Sequence, residues 1–135
     1  LSKKQARESI SKIGLGIDFT ARDLQSELKE NSHPWEIAKG FDQSAAVSHL
    51  IDFSHVNLEE LEFELFLNKN RVQKGSPKQM VFDIYKIISY ASKFFTLEPG
   101  DLIFSGTPKG VGPINKKDHL EGHINGKKVL NIDIR

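Results

Sequence analysis

The stretch LEFELFLN, residues 61–68, sets Leu61, Phe63, Leu65 and Leu67 on one side and Glu62, Glu64, Phe66 and Asn68 on the other. A period of two is what a half-buried β-strand requires, and an α-helix does not satisfy it. RVQKG follows Lys69-Asn70, so a hairpin turning at that tip is expected. HINGKKVLNIDI, at the end of the chain, predicts a second hairpin, with Asn125-Gly126 as a favoured type I′ turn dipeptide.

Between the hairpins the period changes. Residues 77–95, PKQMVFDIYKIISYASKFF, open on Pro77 and repeat apolar residues at helical spacing, so they are expected to form the longest helix. TLEPGDLIFSGTP predicts a turn at Pro99-Gly100 and then a short buried strand, Leu102 to Phe104. Near the start, Ser2 suits an N-cap and Gly14 a stop for a short helix, and IGLGIDF is strand-like. Thr20 with Asp23 resembles a capping-box start for ARDLQSELKE, where Ala21, Leu24 and Leu28 share a face. NSHPWEIAKGFD reads as loop, interrupted by Pro34 and Gly40. Strands and helices are mixed without a βαβ rhythm, so the expected class is α+β.

Composition narrows the function. At 135 residues the chain is one domain by length, large enough for a core, with 38% hydrophobic and 27% charged residues. A net charge of +1, from 19 basic and 18 acidic residues without a long single-sign block, leaves no electrostatic footprint for nucleic acid or an anionic membrane. No apolar run reaches the roughly 18 residues of a membrane span. The chain lacks cysteine, which excludes disulfides and thiolate metal sites and fits a reducing cytoplasm.

Three segments carry candidate chemistry. In GIDFTARDLQ, Asp18 ends a strand, and Arg22 and Gln25 can project from one helix face toward the same volume. A carboxylate beside a guanidinium and an amide suits a cation-bound oxyacid; the plain alternative is an Asp18–Arg22 surface ion pair of about 0.5 kcal/mol. In PWEIAKGFD, Lys39 lies between Ala38 and Gly40, where a partly desolvated ammonium can stabilise a developing enolate; a solvated lysine is the alternative. In SGTPKGVGP, three glycines and two prolines let the backbone approach a ligand and Thr107 donate to it, although the same residues also suit a structural turn. The loop is not a Walker phosphate loop, because the lysine precedes Gly110.

Two patterns are set aside. Glu62 and Glu64 resemble paired carboxylates but lie on the polar face of the strand, so a solvated face explains them. His119 and His123 are four apart, as helical metal ligands would be, but Gly122 and the Asn125-Gly126 turn argue against a helix there.

In order, GIDFTARDLQ, HPWEIAKGFD, the hairpin ending in RVQKG, PGDLIFSGTPKGVGP and INGKKVLNIDI resemble the fumarylacetoacetate hydrolase family, over roughly residues 10–135. The likeness is greatest to its small acylpyruvase and oxaloacetate decarboxylase branch. The resemblance implies an α+β fold of layered mixed β-sheets with a few short helices, a homodimer, and a Mg²⁺ or Mn²⁺ site. By motif position it implies Asp18 as a metal ligand. Arg22, Gln25 and Lys39 would line the substrate site, with Lys39 the electrostatic catalyst, and Thr107 would hold a substrate carboxylate or ketone oxygen. The implied reaction is C–C hydrolysis of an acylpyruvate or other 2,4-dioxo acid through a metal-bound enolate. Decarboxylation, hydration or isomerisation of a related 2-oxo acid on the same platform is the alternative.

The family pattern also has a Glu-x-Glu pair upstream of the ligand Asp, and a His/Glu pair earlier still. Residues 1–17 contain neither pair, and Glu62-Phe63-Glu64 falls after Asp18. The chain also begins at Leu1 rather than Met. The expectation is therefore that residues 1–135 are part of a catalytic domain; a catalytically incomplete binding or dimerisation module is the alternative.

Overall fold

The alternating stretch forms strand β5, Phe63–Leu67, which hairpins into β6, Asn70–Gly75, in a computed structural model describing residues 1–135. The turn lies one residue earlier than expected. Asn68 and Lys69 both adopt positive φ, 50° and 70°, as a two-residue type I′ turn requires. β5 also pairs with β7, His119–Ile124, which turns at Asn125-Gly126 into β8, Lys127–Asp133. Asn125 and Gly126 have φ of 47° and 74°, the expected turn. The four strands form an antiparallel sheet in the order β6-β5-β7-β8.

Burial alternates along β7: Leu120, Gly122 and Ile124 point inward while His119, Glu121 and His123 stay part-exposed. Leu120 is 2% exposed and shares the core with Leu61, Ile124 and Leu130. Burying one such leucine contributes about 1.5–3 kcal/mol. A one-residue register slip would exchange this face for two histidines and a glutamate, so the register is strongly specified.

The helices differ more from expectation. Helix α1, Lys3–Ser9, starts at Ser2 as expected, with a capping box completed by Gln5. It ends at Ile10 rather than Gly14, because strand β1, Lys12–Ile13, is drawn into a ladder with a later strand, Ile51–Asp52. Residues 77–95 are not one helix. Pro77–Gln79 is a single 3₁₀ turn capped by Ser76, and Asp83 then caps a separate helix, Ile84–Ala91, by accepting from the Lys86 amide at 2.7 Å. An Asp within an apolar periodic run competes for backbone donors and is better used as a cap than as an interior residue.

Leu102–Phe104 is neither a strand nor buried: its three residues are 56%, 39% and 44% exposed. An apolar run becomes a strand only where a neighbour answers its N–H and C=O groups, and no strand of these residues does. The turn before it is present, with the Asp101 amide donating to the Glu98 carbonyl at 3.1 Å.

Contacts group the chain into two compact units, Leu1–Leu15 with Ser48–Arg135, and Gly16–Val47. Within the second unit, β2, Gly16–Asp18, pairs antiparallel with β3, Ala45–Val47, and α2, Arg22–Glu30, lies between them in sequence. In chain order, Ile51–Asp52 is β4 and Ile84–Ala91 is α3. At eight residues α3 is shorter than the nine-residue α2. Helices and antiparallel ladders together make the α+β class. No helix is long and apolar enough to cross a membrane.

Candidate active site

Asp18 is the last residue of β2, opposite Ala45. The following amide, of Phe19, still donates to the Ser44 carbonyl at 2.7 Å, so the strand end is held. A second backbone bond, from the Ala21 amide to the Ala38 carbonyl at 3.0 Å, ties the start of α2 to the 3₁₀ turn Glu36–Ala38. Ala38 is fully buried there, and Lys39 follows as the cap of that turn. These local ties explain how Lys39, distant in sequence, meets Asp18.

The Lys39 ammonium donates to Asp18 Oδ2 at 2.5 Å and to Thr20 Oγ1 at 2.8 Å. Its side chain is 30% exposed, against 54% for Asp18. Two of the three ammonium hydrogens are thus engaged and one is left for a ligand. Thr20 does not cap α2 as expected. The N-cap is Ala21, which offers no side-chain bond, and the Thr20 hydroxyl faces Lys39 and the Asp18 carbonyl instead. Asp23 accepts from the Leu24 amide, so the capping box is not formed.

Arg22 is the first residue of α2 and is exposed; Gln25, one turn on, is 9% exposed. The Asp18–Arg22 ion pair is not formed, because Asp18 pairs with Lys39. Asp18, Arg22, Gln25 and Lys39 therefore all belong to the unit 16–47, and the structure brings Asp18 and Lys39 into direct contact.

Thr107 belongs to the other unit, in the irregular loop SGTPKGVGP. This loop lies hard against β6: Gly110 has φ of 104°, and an added Cβ there would clash with the Val72 carbonyl oxygen. Gln73 of β6 bonds the loop at two points, Thr107 Oγ1 at 2.9 Å and the Pro108 carbonyl at 3.0 Å. The sequence marked Thr20 only as a helix cap and did not mark Gln73 at all. Their partners lie 19 and 34 residues away, so no local spacing signals them.

Of the two patterns set aside, Glu62 lies on a solvated face as expected, 58% exposed, whereas Glu64 is largely covered, at 21%. Glu62 pairs with Lys74 at 2.8 Å and Glu64 with Arg71 at 2.7 Å, across the β5–β6 ladder. His119 and His123 lie on a strand, not a helix. Asp133 bonds His119 at 2.7 Å and raises its pKa, with Glu121 adding to the effect. Lys128 bonds Glu121 at 2.7 Å and, with His119, holds its carboxyl below the ordinary value.

A divalent cation of the Mg²⁺ or Mn²⁺ type needs hard oxygen ligands, and the half-exposed Asp18 carboxylate fits as one of them. No group of three or more histidine or carboxylate side chains in these residues is placed to hold a metal ion. Any further ligands lie outside the side chains gathered around Asp18.

A family model described as fumarylacetoacetate (FAA) hydrolase C-terminal matches residues 1–134. The chain is 43% identical over 131 residues to the mitochondrial oxaloacetate tautomerase FAHD1 of Mus musculus, covering 96% of this chain and 59% of that protein. It is 36% identical over 135 residues to the oxaloacetate tautomerase YcgM of Escherichia coli (strain K12), covering 96% of this chain and 62% of that one. The crystal structure of fumarylpyruvate hydrolase from Pseudomonas aeruginosa in complex with Mn²⁺ and pyruvate matches with a TM-score of 0.91 and 35% identity. That match covers 99% of this chain and 58% of the other. The chain thus spans little more than half the length of the relatives it matches.

Proposed function

Since the chain belongs to the fumarylacetoacetate hydrolase family, we propose that residues 1–135 form part of a catalytic domain hydrolysing a C–C bond in acylpyruvate-type 2,4-dioxo acids, with Mg²⁺ or Mn²⁺. The observation that carries this reading is the Lys39 ammonium held between Asp18 and Thr20 on a strand end and a 3₁₀ turn. In this reading Asp18 would be one ligand of the cation, which when bound supplies Lewis acidity toward a 2-oxo acid.

The chain's own residues do the rest. Lys39 is positioned by Thr20 and partly shielded from water, so its charge stabilises the negative oxygen that grows as the C–C bond breaks. One such preorganised contact is worth about 3–4 kcal/mol. Arg22, at the exposed start of α2, offers a two-pronged donor to a substrate carboxylate, and Gln25 lies one turn below it. Thr107 donates to a carboxylate or ketone oxygen. Homodimer formation and a cytoplasmic location belong to the same proposal.

A second reading is favoured by the likeness to two oxaloacetate tautomerases. The same ammonium would then stabilise an enolate formed by proton removal or by loss of carbon dioxide rather than by C–C hydrolysis. The deciding experiment supplies the native protein, with Mn²⁺, with acetylpyruvate and with oxaloacetate. Release of pyruvate and acetate from acetylpyruvate supports hydrolysis. Enol–keto interconversion of oxaloacetate alone supports the tautomerase, and neither reaction would leave a binding or dimerisation module. Asp18→Ala is expected to abolish turnover with the circular dichroism spectrum unchanged, and full activity in excess chelator would overturn the metal-assisted mechanism.

A further inference from the structure

Gln73 settles the direction of a hydrogen bond at Thr107. Its Nε2 lies 3.0 Å from the Pro108 carbonyl oxygen and 2.9 Å from Thr107 Oγ1. A carbonyl oxygen can only accept, so the amide atom facing Pro108 has to be the NH₂ group. Reversing the amide would set two acceptor oxygens against each other. The same nitrogen has no lone pair to offer, so Thr107 Oγ1 must accept from it. Both amide hydrogens are then engaged, and the hydroxyl proton of Thr107 is left to point elsewhere.

Gln73 stands on β6, the edge strand of the sheet, paired with Leu65 beside a register shift in the β5–β6 ladder. The close approach of Gly110 to Val72 holds the other end of the loop on the same strand. Pro108 also packs against β6, since its Cγ lies 3.1 Å from where a Cβ on Gly75 would be.

We propose that Gln73 is a positioning residue that holds the Thr107 hydroxyl as a hydrogen-bond donor, matched to an acceptor-only oxygen of the substrate such as a carboxylate or ketone. The inference deepens the proposed function and rests on its placing of Thr107 at the substrate.

The test measures the dissociation constant of pyruvate for the native, Mn²⁺-loaded protein by calorimetry. Thr107→Val is expected to weaken binding about 10-fold, and Thr107→Ser to retain it. Gln73→Glu replaces the donor by an acceptor that captures the hydroxyl proton, so it is also expected to weaken binding about 10-fold. In the Thr107→Val background the same change is expected to add less than about 2-fold, because the proton it captures is gone. Gln73→Leu, which adds no charge, should show the same dependence on Thr107 at a smaller size. A loss from Gln73→Glu that is the same with and without the Thr107 hydroxyl would mean charge repulsion or loop disorder, and would overturn the positioning role. Pyruvate binding unaffected by Thr107→Val would remove Thr107 from the substrate site. Failure of the proposed reaction would appear instead as absent turnover with these binding differences intact.

Discussion

Two charge clusters of this protein use similar side chains to different ends. On the β7–β8 ladder, His119 stands directly opposite Asp133 and bonds it, and Lys128, opposite His123, reaches diagonally to Glu121. These partners are assigned by strand register, and each charge is answered by a neighbour on the same sheet face. In the unit 16–47, Lys39 meets Asp18 across 21 residues, from the cap of a 3₁₀ turn to the end of a strand, with neutral Thr20 as its second partner. The ladder cluster is what a sheet does with charges on its wetter face. The strand-end cluster differs in that its ammonium is the more shielded, 30% exposed against 49% for Lys128, and is held by a neutral hydroxyl as well as by a carboxylate.

The sharpest way to break this contrast is Lys39→Met in the native, metal-loaded protein. We expect kcat to fall about 10²–10³-fold with a smaller change in KM. An unchanged kcat would make the Lys39–Asp18 pair another structural ion pair, no different in kind from those on the ladder. Thr20→Val removes only the neutral partner, and kcat is expected to fall about 5–10-fold, with Thr20→Ser restoring it. Loss of rate in both variants would show that the backbone around Thr20, not its hydroxyl, matters.

The smallest effect belongs to the ladder. The raised pKa of His119 means that its pairing contributes fully below its ordinary value of 6.5 and is lost as pH rises through the higher folded value. Glu121, lowered chiefly by Lys128, contributes above its ordinary 4.5 and loses that contribution as pH falls through its lower folded value. Solvent screens both groups, so Tm is expected to change by no more than about 2 °C across either window. His119→Asn should flatten the alkaline side and only weaken the acidic side, which Lys128 chiefly sets. An unaltered alkaline slope in that variant would assign it to another group.

Much of this was legible from local chemistry. The Asn125-Gly126 hairpin, the Ser2 cap and the strand at β5 follow from rules that act within a few residues, although burial along β5 is even rather than alternating. The segments carrying Asp18, Arg22, Gln25, Lys39 and Thr107 were legible too, because their order and spacing are linear properties. The errors have one form. Residues 77–95 have a helical period, but Ser76 and Asp83 supply caps that divide it. Leu102–Phe104 is apolar enough for a buried strand, yet a strand needs a ladder partner that composition cannot reveal. Thr20 has the spacing of a cap, but an ammonium outcompetes the helix amides for its oxygen, since charged donors make the stronger bond.

The sequence by itself determined where strands alternate, where turns reverse and which polar residues are candidates for chemistry, because these depend on side-chain period and backbone preference over short distances. Only the tertiary structure decided which candidates meet. Lys39 reaches Asp18 because the backbone bond between Ala21 and Ala38 folds its turn onto the start of α2. Thr107 is left a donor because Gln73, from a strand 34 residues earlier, is obliged to donate to both Thr107 and Pro108. Hydrogen bonds have direction and length, and over such separations both are fixed only once the intervening chain has folded.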